Sequence, residues 1–214
     1  MKQVAPRIVL AISRVLYIVF LRWSITGKEN VPQTGSLLVI ANHVNLVDPV
    51  MLMCSFPRWV TYMTKEELFH NPLFAAFMRS GGAFPVSRTG SVQERRNAIR
   101  TAETLLSEGC ALGVFPEGTR DKTGVLLQGR PGAVSMAIHT GAPIIPVAFA
   151  GTEQIGTRWW LLKRPKVTVT IGTPFHLTAK GSRLSRSQSA ELTDEMMRHL
   201  AALLPPDKRG PYGD

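Results

Sequence analysis

Cysteine is scarce in this sequence, and its placement excludes several classes of site. Only Cys54 and Cys110 occur among 214 residues, so the fold cannot depend on a network of disulfides. The spacing of the two cysteines fits no zinc motif. Because both lie among apolar neighbours, we predict two buried free thiols, rather than a disulfide, in a reducing compartment. A chain of this length buries enough surface to fold as one or two domains without cross-links.

Acidic residues are also few relative to basic ones. The chain has 15 Asp and Glu against 25 Lys and Arg, for a formal net charge of +10. Such a balance indicates an anionic partner, and nucleic acid, anionic lipid and phosphorylated metabolites all qualify. No helix-turn-helix, RNP or zinc pattern is present, so we expect no nucleic-acid partner. A basic membrane- or nucleic-acid-binding protein without activity is the alternative from another class.

The apolar run near the N-terminus is too short for a typical membrane span. Residues 8–23 read IVLAISRVLYIVFLRW, with Arg14 near the middle, whereas a spanning helix needs about 20 largely apolar residues. Arg7, Arg14 and Arg22 are spaced so that one side of a helix would carry all three. We therefore predict that residues 1–30 form an amphipathic helix lying in the surface of an anionic membrane. A core helix of the domain is the alternative. A signal peptide is disfavoured, because no A-x-A-like cleavage site follows.

Strand and helix patterns alternate through residues 31–205, which we predict to be one domain. Helix signals include a capping box from Ser91 to Glu94, a helix over residues 132–139, and another over 189–204 that stops at two prolines. Alternating strands and helices predict an α/β fold with a mostly parallel sheet flanked by helices. Residues 206–214 are predicted to be a frayed tail. The predicted strands are residues 36–41, 59–63, 83–87, 111–115, 144–149 and 167–172.

Polar side chains that could take part in catalysis follow the first predicted strand. His43 and Asp48 are separated by four residues, in the sequence NHVNLVDP. The turn between them can fold the carboxylate against the imidazole, which would fix the tautomer and stabilise the imidazolium. Alternatively, Asp48 caps the helix that Pro49 opens, and His43 is only a turn residue. The pair alone leaves both interpretations open.

Two further segments place polar groups after predicted strands. FPEGTR at residues 115–120 offers Gly118 for close backbone approach, a hydroxyl at Thr119 and a guanidinium at Arg120 that matches phosphate oxygens. GGAFPVSR at residues 81–88 ends with Arg88. An ordinary turn explains either segment by itself. In a parallel sheet, however, such strand ends meet at one edge.

Four segments in this order resemble the conserved blocks of the glycerolipid acyltransferase family: NHVNLVDP, GGAFPVSR, FPEGTR and APIIPVAF. The resemblance covers roughly residues 25–175. It implies that His43 is the general base and that Asp48 is its partner. It also places Lys65, in TKEELF, near the developing oxyanion. The acceptor-phosphate site that it implies consists of Arg88, Glu117, Gly118, Thr119 and Arg120. Within that site Glu117, being an anion, would orient an arginine or accept a hydrogen bond from a glycerol hydroxyl.

The reaction implied by the resemblance is transfer of a fatty acyl group from acyl-CoA or acyl carrier protein. The acceptor is the sn-2 hydroxyl of 1-acyl-glycerol-3-phosphate, and the product is phosphatidic acid. A thioester is already electrophilic, so no serine or cysteine nucleophile is required, and no G-x-S-x-G elbow occurs. We expect no metal and no cofactor besides the acyl donor. The expected location is the cytoplasmic face of the membrane, as a peripheral or monotopic protein.

Small departures from the family pattern leave the identity of the acyl acceptor undecided. Asn45 stands where serine or threonine is common, Ser87 replaces an acidic residue, and residues 129–132 are less lysine-rich. Glycerol 3-phosphate or another lyso-lipid is therefore an alternative acceptor.

Two apolar segments have no assigned role. Residues 68–78 are predicted to be a core helix, with an acyl-chain lining as the alternative. Residues 157–166, TRWWLLKRPK, combine two tryptophans and two leucines with basic residues. Such a combination is typical of an interfacial membrane anchor, and a buried hairpin is equally compatible with it.

Overall fold

A computed structural model describes residues 4–65, 70, 75, 83–86, 91–179 and 184–213. The helices in chain order are α1 Val4–Phe20, α2 Asp48–Ser55, α3 Val92–Ser107, α4 Gly132–Thr140, α5 Trp160–Lys163 and α6 Arg186–Ala201. The strands are β1 Arg22–Thr26, β2 Leu37–Ala41, β3 Val60–Lys65, β4 Phe84–Val86, β5 Ala111–Val114, β6 Ile144–Ala150 and β7 Lys166–Ile171.

The described strands form one seven-stranded sheet in the order β1-β7-β6-β2-β5-β3-β4. Neighbouring strands are parallel, apart from the antiparallel pair β6 and β7. The predicted α/β fold with a mostly parallel sheet is therefore confirmed, and each of the six predicted strands corresponds to an observed one. The sequence did not predict β1, because Arg22–Thr26 lies within residues 1–30, which were predicted to be helical, and is only partly buried. The helix itself ends at Phe20.

Apolar side chains cover both faces of the sheet, as the continuous apolar strands require. Within β2, Leu38 and Ile40 join the core on the side of α3, α4 and α6. Leu37 and Val39 point to the opposite core, where α2 and the end of α1 pack. The sheet is thus the middle layer between two groups of helices.

Strand direction places several chain segments at one edge of the sheet. The parallel strands β2, β3, β5 and β6 all end there. The antiparallel strand β7 begins there, with Thr168 opposite Ala150. Since β1 is parallel to β7, with Arg22 opposite Lys166, the C-terminal end of α1 reaches this edge as well.

Helix ends follow the predicted signals, with one shift. Ser91 and Glu94 form the predicted capping box at the start of α3. The last long helix begins earlier than expected, because Ser185 and Gln188 form a second capping box that starts α6.

Helix α1 differs from the prediction in the direction of its arginines. Arg14 donates from Nε to the carbonyl of Cys54 at 3.1 Å, and Arg22 belongs to β1. Arg14 thus contacts the body of the protein, while α1 leaves seven large apolar side chains exposed, most of them on the side away from this contact. These are Ile8, Val9, Ile12, Val15, Leu16, Ile18 and Val19. No helix in the described part of the chain is both long and apolar enough to cross a membrane.

The prediction of a frayed C-terminal tail was wrong. Residues 206–213 form two short 3-10 turns that are tied to the domain. The carbonyl of Lys208 accepts from the backbone N–H of Leu126, and the Tyr212 hydroxyl accepts from that of Gly129. Since Leu126 and Gly129 follow the FPEGTR segment, this tail braces one of the candidate site segments.

Candidate active site

His43 and Asp48 meet at the edge where β2 ends. The imidazole Nδ1 lies 3.1 Å from Oδ2 of Asp48, and the side chain of His43 is 13% exposed while that of Asp48 is fully buried. The same Oδ2 accepts from the backbone N–H groups of Val44 and Asn45, each at 2.7 Å. Asp48 therefore closes the turn that carries His43, as the four-residue spacing predicts.

The alternative role of Asp48 as a helix cap is wrong. The residue before it, Val47, occupies the N-cap position of α2, and no side chain caps this helix. The carboxylate points back into the preceding turn because three donors converge on it there. Removing it would expose unsatisfied N–H groups in a buried turn, which costs about 1–3 kcal/mol.

The contact between His43 and Asp48 selects one tautomer of the neutral imidazole. An ionised carboxylate can only accept hydrogen bonds, so Nδ1 must carry the proton in this pair. Nε2 then has a free lone pair. Such an imidazole is prepared to take a proton at Nε2.

The backbone of His43 is held by the FPEGTR segment. Its N–H donates to Oε1 of Glu117 at 2.7 Å, and its carbonyl accepts from the N–H of Asp121 at 3.0 Å. Oε2 of Glu117 accepts from the N–H of Leu127 at 2.8 Å. Glu117 thus has backbone partners on both oxygens, and the arginine predicted from the sequence is not among them. It positions the turn that carries the histidine.

Burial of the Glu117 carboxylate changes its acidity. The residue is 3% exposed, and desolvation raises its pKa to about 7. The hydrogen bonds from Leu127 and His43 act in the opposite direction and lower this pKa, because they stabilise the charged form. The Glu117 carboxyl, which links the FPEGTR segment to the histidine turn, therefore titrates near neutral pH.

An aromatic stack fixes the plane of the imidazole. The His43 ring lies against Phe115 with centroids 4.2 Å apart and planes at 24°. Phe115 in turn stacks on the buried Tyr62 of β3 at 6.3 Å. Together with the carboxylate, this stack leaves the ring little rotational freedom.

The loop after β5 holds the predicted phosphate-binding groups. Gly118 has φ +69°, and a Cβ there would lie 2.7 Å from Nε of Arg130. The side chain of Arg130 therefore crosses the glycine, and its backbone N–H donates to Pro116 at 2.8 Å. Thr119 and Arg120 are exposed on the same loop. The loop after β5 thus carries Arg120 and is contacted by Arg130, so it has two guanidinium groups close to it.

Arg130 was missed in the sequence. Its signal is the glycine at each end of GRPG, residues 129–132, the segment that is less lysine-rich than the family pattern. The other predicted arginine, Arg88, lies outside the described residues, as do the residues 68–78 apart from 70 and 75. Lys65 is the last residue of β3, and its side chain also lies outside the described part.

Two asparagines join the histidine turn to β6 and the loop after it. Asn42 exchanges two hydrogen bonds with the backbone of Phe149, at 2.7 and 2.9 Å. Asn45 donates from Nδ2 to the carbonyls of Thr152 and Ile155, at 3.0 and 2.9 Å. The asparagine that departs from the family pattern is therefore a structural link to residues 152–155.

Known proteins share this architecture and these segments. A sequence model of the Acyltransferase family matches residues 22–150. The 1-acyl-sn-glycerol-3-phosphate acyltransferase of Bacillus subtilis is 32% identical over 178 residues, which are 83% of this chain and 85% of the relative. The enzyme of the same name from Borreliella burgdorferi is 28% identical over 139 residues, covering 65% of this chain and 55% of the relative.

A solved structure agrees with the same assignment. The crystal structure of the 1-acyl-sn-glycerophosphate acyltransferase PlsC from Thermotoga maritima matches with a TM-score of 0.68 at 25% identity. The match covers 89% of this chain and 77% of that protein. The resemblance seen in the sequence is thereby confirmed. Since the family match spans more than half of the chain and includes the His43 turn and the loop after β5, the chain belongs to the acyltransferase family and is an enzyme of that family, similar to 1-acyl-sn-glycerol-3-phosphate acyltransferases.

Proposed function

We propose that the enzyme transfers a fatty acyl group from a thioester to the sn-2 hydroxyl of 1-acyl-glycerol-3-phosphate, with His43 as general base. The observation that carries this proposal is the fixed His43–Asp48 pair at the sheet edge, with Nδ1 on the carboxylate at 3.1 Å. The acceptor is supported by the relatives, which are named for it, and by the arginines near Gly118.

The reaction follows from the tautomer. Nε2 of His43 takes the proton of the sn-2 hydroxyl while the hydroxyl oxygen attacks the thioester carbonyl carbon. A tetrahedral oxyanion forms, and its collapse breaks the carbon–sulfur bond. The imidazolium, stabilised by Asp48, then protonates the departing thiolate. The products are an ester and a free thiol, and general base catalysis of this kind contributes typically 10²–10⁴-fold in rate.

The acceptor phosphate binds at the loop after β5 in this proposal. Arg120 and Arg130 supply forked donors that suit phosphate oxygens, and Gly118 and Thr119 allow close approach of the loop. The resemblance adds Arg88, which follows β4 in the chain, to the proposed phosphate-binding residues. Phosphate held there places the adjacent glycerol hydroxyl toward His43, so that the reactants meet in a productive geometry.

The oxyanion requires donors that face the thioester carbonyl. We propose Lys65, at the end of β3, or backbone N–H groups of the strand-to-helix turns. Such preorganised donors stabilise the charge that develops during attack.

The enzyme works at a membrane surface in this proposal, on its cytoplasmic face. The support is the exposed apolar side of α1, which extends along the helix from Ile8 to Val19. An amphipathic helix of this kind buries its apolar side in the boundary between headgroups and acyl chains. Both acceptor and product are lipids, so an enzyme at the surface meets them without drawing them fully into water.

A panel of acceptors and donors tests the proposal. Purified enzyme is given 1-acyl-glycerol-3-phosphate, glycerol 3-phosphate or lysophosphatidylcholine, each with a labelled acyl group on CoA or on acyl carrier protein. We expect turnover with the first acceptor to exceed that with either other acceptor. A preference for glycerol 3-phosphate or for the acceptor without a terminal phosphate would replace the proposed substrate. The donor that supports higher kcat/KM identifies the physiological thioester class.

A further inference from the structure

A second exposed apolar patch lies beside the proposed membrane side of α1. It consists of Trp159, Leu161 and Leu162, and we call it the second apolar patch. Trp159 is 59% exposed and Leu162 is 78% exposed. Single exposed apolar residues are ordinary on a protein surface, whereas a cluster of three large ones requires an explanation.

The distribution of exposed apolar side chains is not random. Among the residues that the structure describes, the large exposed ones occur in three places only: α1, the second apolar patch, and Leu46 in the histidine turn. All three places are linked to the sheet edge that carries His43. The two helical faces of the opposite layer, α3 and α6, expose none among their described side chains.

Hydrogen bonds fix the second apolar patch next to α1. Arg164 donates to the carbonyl of Ile18 at 3.0 Å. Arg22 donates from Nε to the carbonyl of Arg164 at 3.1 Å, and its backbone N–H donates to Pro165 at 3.0 Å. Because the side chain of Ile18 is itself exposed, the two apolar surfaces are neighbours rather than separate features.

The backbone holds these side chains outward at a cost. Trp159 and Arg164, which flank α5, have φ values of 66° and 45°. They are the described non-glycine residues with positive φ, a conformation that non-glycine residues seldom adopt. Such conformations persist where the surrounding structure determines them, and they concentrate at functional positions. Trp160 is partly buried and packs against the core, so the turn separates an inward tryptophan from an outward one.

Exposed basic residues adjoin the second apolar patch in the chain. Arg158 lies over the ring of Trp159 at 5.4 Å, and the next cations are Lys163, Arg164 and Lys166, all exposed. Apolar side chains beside basic residues match the boundary of an anionic bilayer, where tryptophan rings sit at headgroup level and arginine and lysine attract acidic lipids. A protein partner would have to match both the apolar side chains and these basic residues.

We infer that Trp159, Leu161 and Leu162 insert into an anionic phospholipid surface as a second contact beside α1, and so fix the orientation of the active-site edge. The inference rests on the proposed work of the enzyme at a membrane surface. The loop that carries the patch begins at Thr152 and Ile155, whose carbonyls accept from Asn45. Two contacts define a plane better than one helix does, so His43 is held at a set height over the lipid.

The test compares variants of the two surfaces in a vesicle sedimentation assay with phosphatidylcholine and phosphatidylglycerol. The patch variant is Trp159→Asn, Leu161→Gln and Leu162→Gln, since asparagine tolerates the left-handed conformation and glutamine suits a helix. The α1 variant is Ile12→Gln, Val15→Gln and Val19→Gln. We expect the patch variant to lower the partition coefficient at least about tenfold, given the apolar area that three such side chains bury. The two variants combined should lower it further than either alone.

A charge comparison separates lipid binding from general loss of charge. Arg158→Gln with Lys163→Gln should weaken binding several-fold to vesicles that contain phosphatidylglycerol, and little to pure phosphatidylcholine. The matched control is Arg186→Gln with Arg198→Gln on α6, which removes the same charge from the opposite layer and should leave binding unchanged. Equal losses in both pairs would contradict a local lipid contact.

Activity on a water-soluble, short-chain acceptor distinguishes failure of this inference from failure of the proposed function. The patch variant should retain wild-type turnover in that assay and lose it on vesicle-bound acceptor. The inference is overturned if the patch variant binds vesicles like wild type while the α1 variant does not. It is also overturned if wild type alone forms a dimer in solution that the patch variant breaks, because the patch would then be a protein interface. Lack of turnover by wild-type enzyme on every acceptor would refute the proposed function and leave the vesicle result to stand on its own.

Discussion

The imidazole of His43 is constrained by a carboxylate, an aromatic ring and two backbone hydrogen bonds. Asp48 determines which nitrogen carries the proton, Phe115 determines the plane of the ring, and Glu117 with Asp121 fixes the main chain. Each constraint acts on a different degree of freedom. The orientation of the imidazole therefore depends on several residues besides His43 itself.

Asp48→Asn should lower kcat by at least about 100-fold, because a neutral amide no longer fixes the proton on Nδ1 or stabilises the imidazolium. Since three donors converge on Oδ2, the variant should also lose about 1–3 kcal/mol of unfolding free energy. Steady-state kinetics and urea unfolding measure the two effects. A variant with unchanged kcat would show that the carboxylate only closes the turn.

Glu117→Gln should change the pH dependence of stability. Burial raises the pKa of Glu117 to about 7 in the folded protein, while an unfolded glutamate titrates near 4.3. The folded state therefore binds more protons between these values, and wild-type stability relative to the variant falls as pH rises from about 4.5 to 7. The difference amounts to at most roughly 4 kcal/mol.

Urea unfolding of wild type and Glu117→Gln at a series of pH values measures this difference. The difference in unfolding free energy between the two proteins should not change with pH below about pH 4 or above about pH 8. The variant should also lose kcat at least about tenfold with acceptor KM little changed, because the amide keeps one acceptor for two backbone N–H groups. A rise in acceptor KM alone would instead support direct contact between Glu117 and the glycerol.

Arg120→Ala and Arg130→Ala should each raise the acceptor KM and leave the thioester KM nearly constant. A charged hydrogen bond contributes roughly 1.5–3 kcal/mol, which corresponds to about a tenfold to hundredfold change in kcat/KM for the acceptor. Arg186→Ala on α6 is the matched control and should have no effect. A loss confined to the thioester KM would assign the loop after β5 to the donor.

At the scale of elements, α1 combines two roles on opposite sides. Leu10 is buried and Arg14 binds the end of α2, whereas seven large apolar side chains between Ile8 and Val19 are exposed. The sequence predicted the amphipathic helix, but it placed the arginines toward headgroups. A helical projection cannot decide which side meets the protein, because the carbonyl of Cys54 that attracts Arg14 lies 40 residues away.

Binding through the apolar side of α1 should resist salt more than binding through charge does, because screening does not weaken hydrocarbon burial. Raising salt from 0.1 to 0.5 M should therefore reduce vesicle binding only in part. A peptide tag before residue 1 should stay sensitive to protease added outside sealed vesicles. Protection of that tag would show that α1 crosses the bilayer, and the in-plane arrangement would have to be abandoned.

Sequence patterns predicted the strands well where burial on both faces makes them continuously apolar. SLLVIA became β2 and IIPVAF became β6. The strand β1 was missed because RWSIT lies at the sheet edge, where one partner strand is enough and burial is partial. Short edge strands carry a weak signal, since little of their surface enters the core.

The candidate site was predictable in its residues and less so in their contacts. The spacing of His43 and Asp48 predicted their pairing, because a short turn brings them together. The partners of Glu117 could not be read from its motif, since they are backbone groups 74 residues before it and 10 residues after it. Arg130 was overlooked for a similar reason, because its contact with Gly118 depends on the path of the loop between them.

At the scale of the whole molecule, the sheet brings the chemistry and the proposed lipid contacts to one edge. The histidine turn follows β2, the proposed phosphate-binding loop follows β5, and the second apolar patch lies between β6 and β7. The end of α1 reaches the same edge through the pairing of β1 with β7. A lipid acceptor bound at this edge would keep its acyl chain toward the membrane and its glycerol toward His43.

The central claim is that His43 acts as the general base of acyl transfer to 1-acyl-glycerol-3-phosphate, and His43→Ala tests it most directly. Single-turnover transfer of a labelled acyl group is measured for wild type and the variant at saturating acceptor and donor. Circular dichroism and vesicle binding serve as controls for folding and membrane contact. We predict unchanged controls and a rate reduced by at least about 100-fold. A correctly folded variant that retains a tenth of the wild-type rate would contradict the claim.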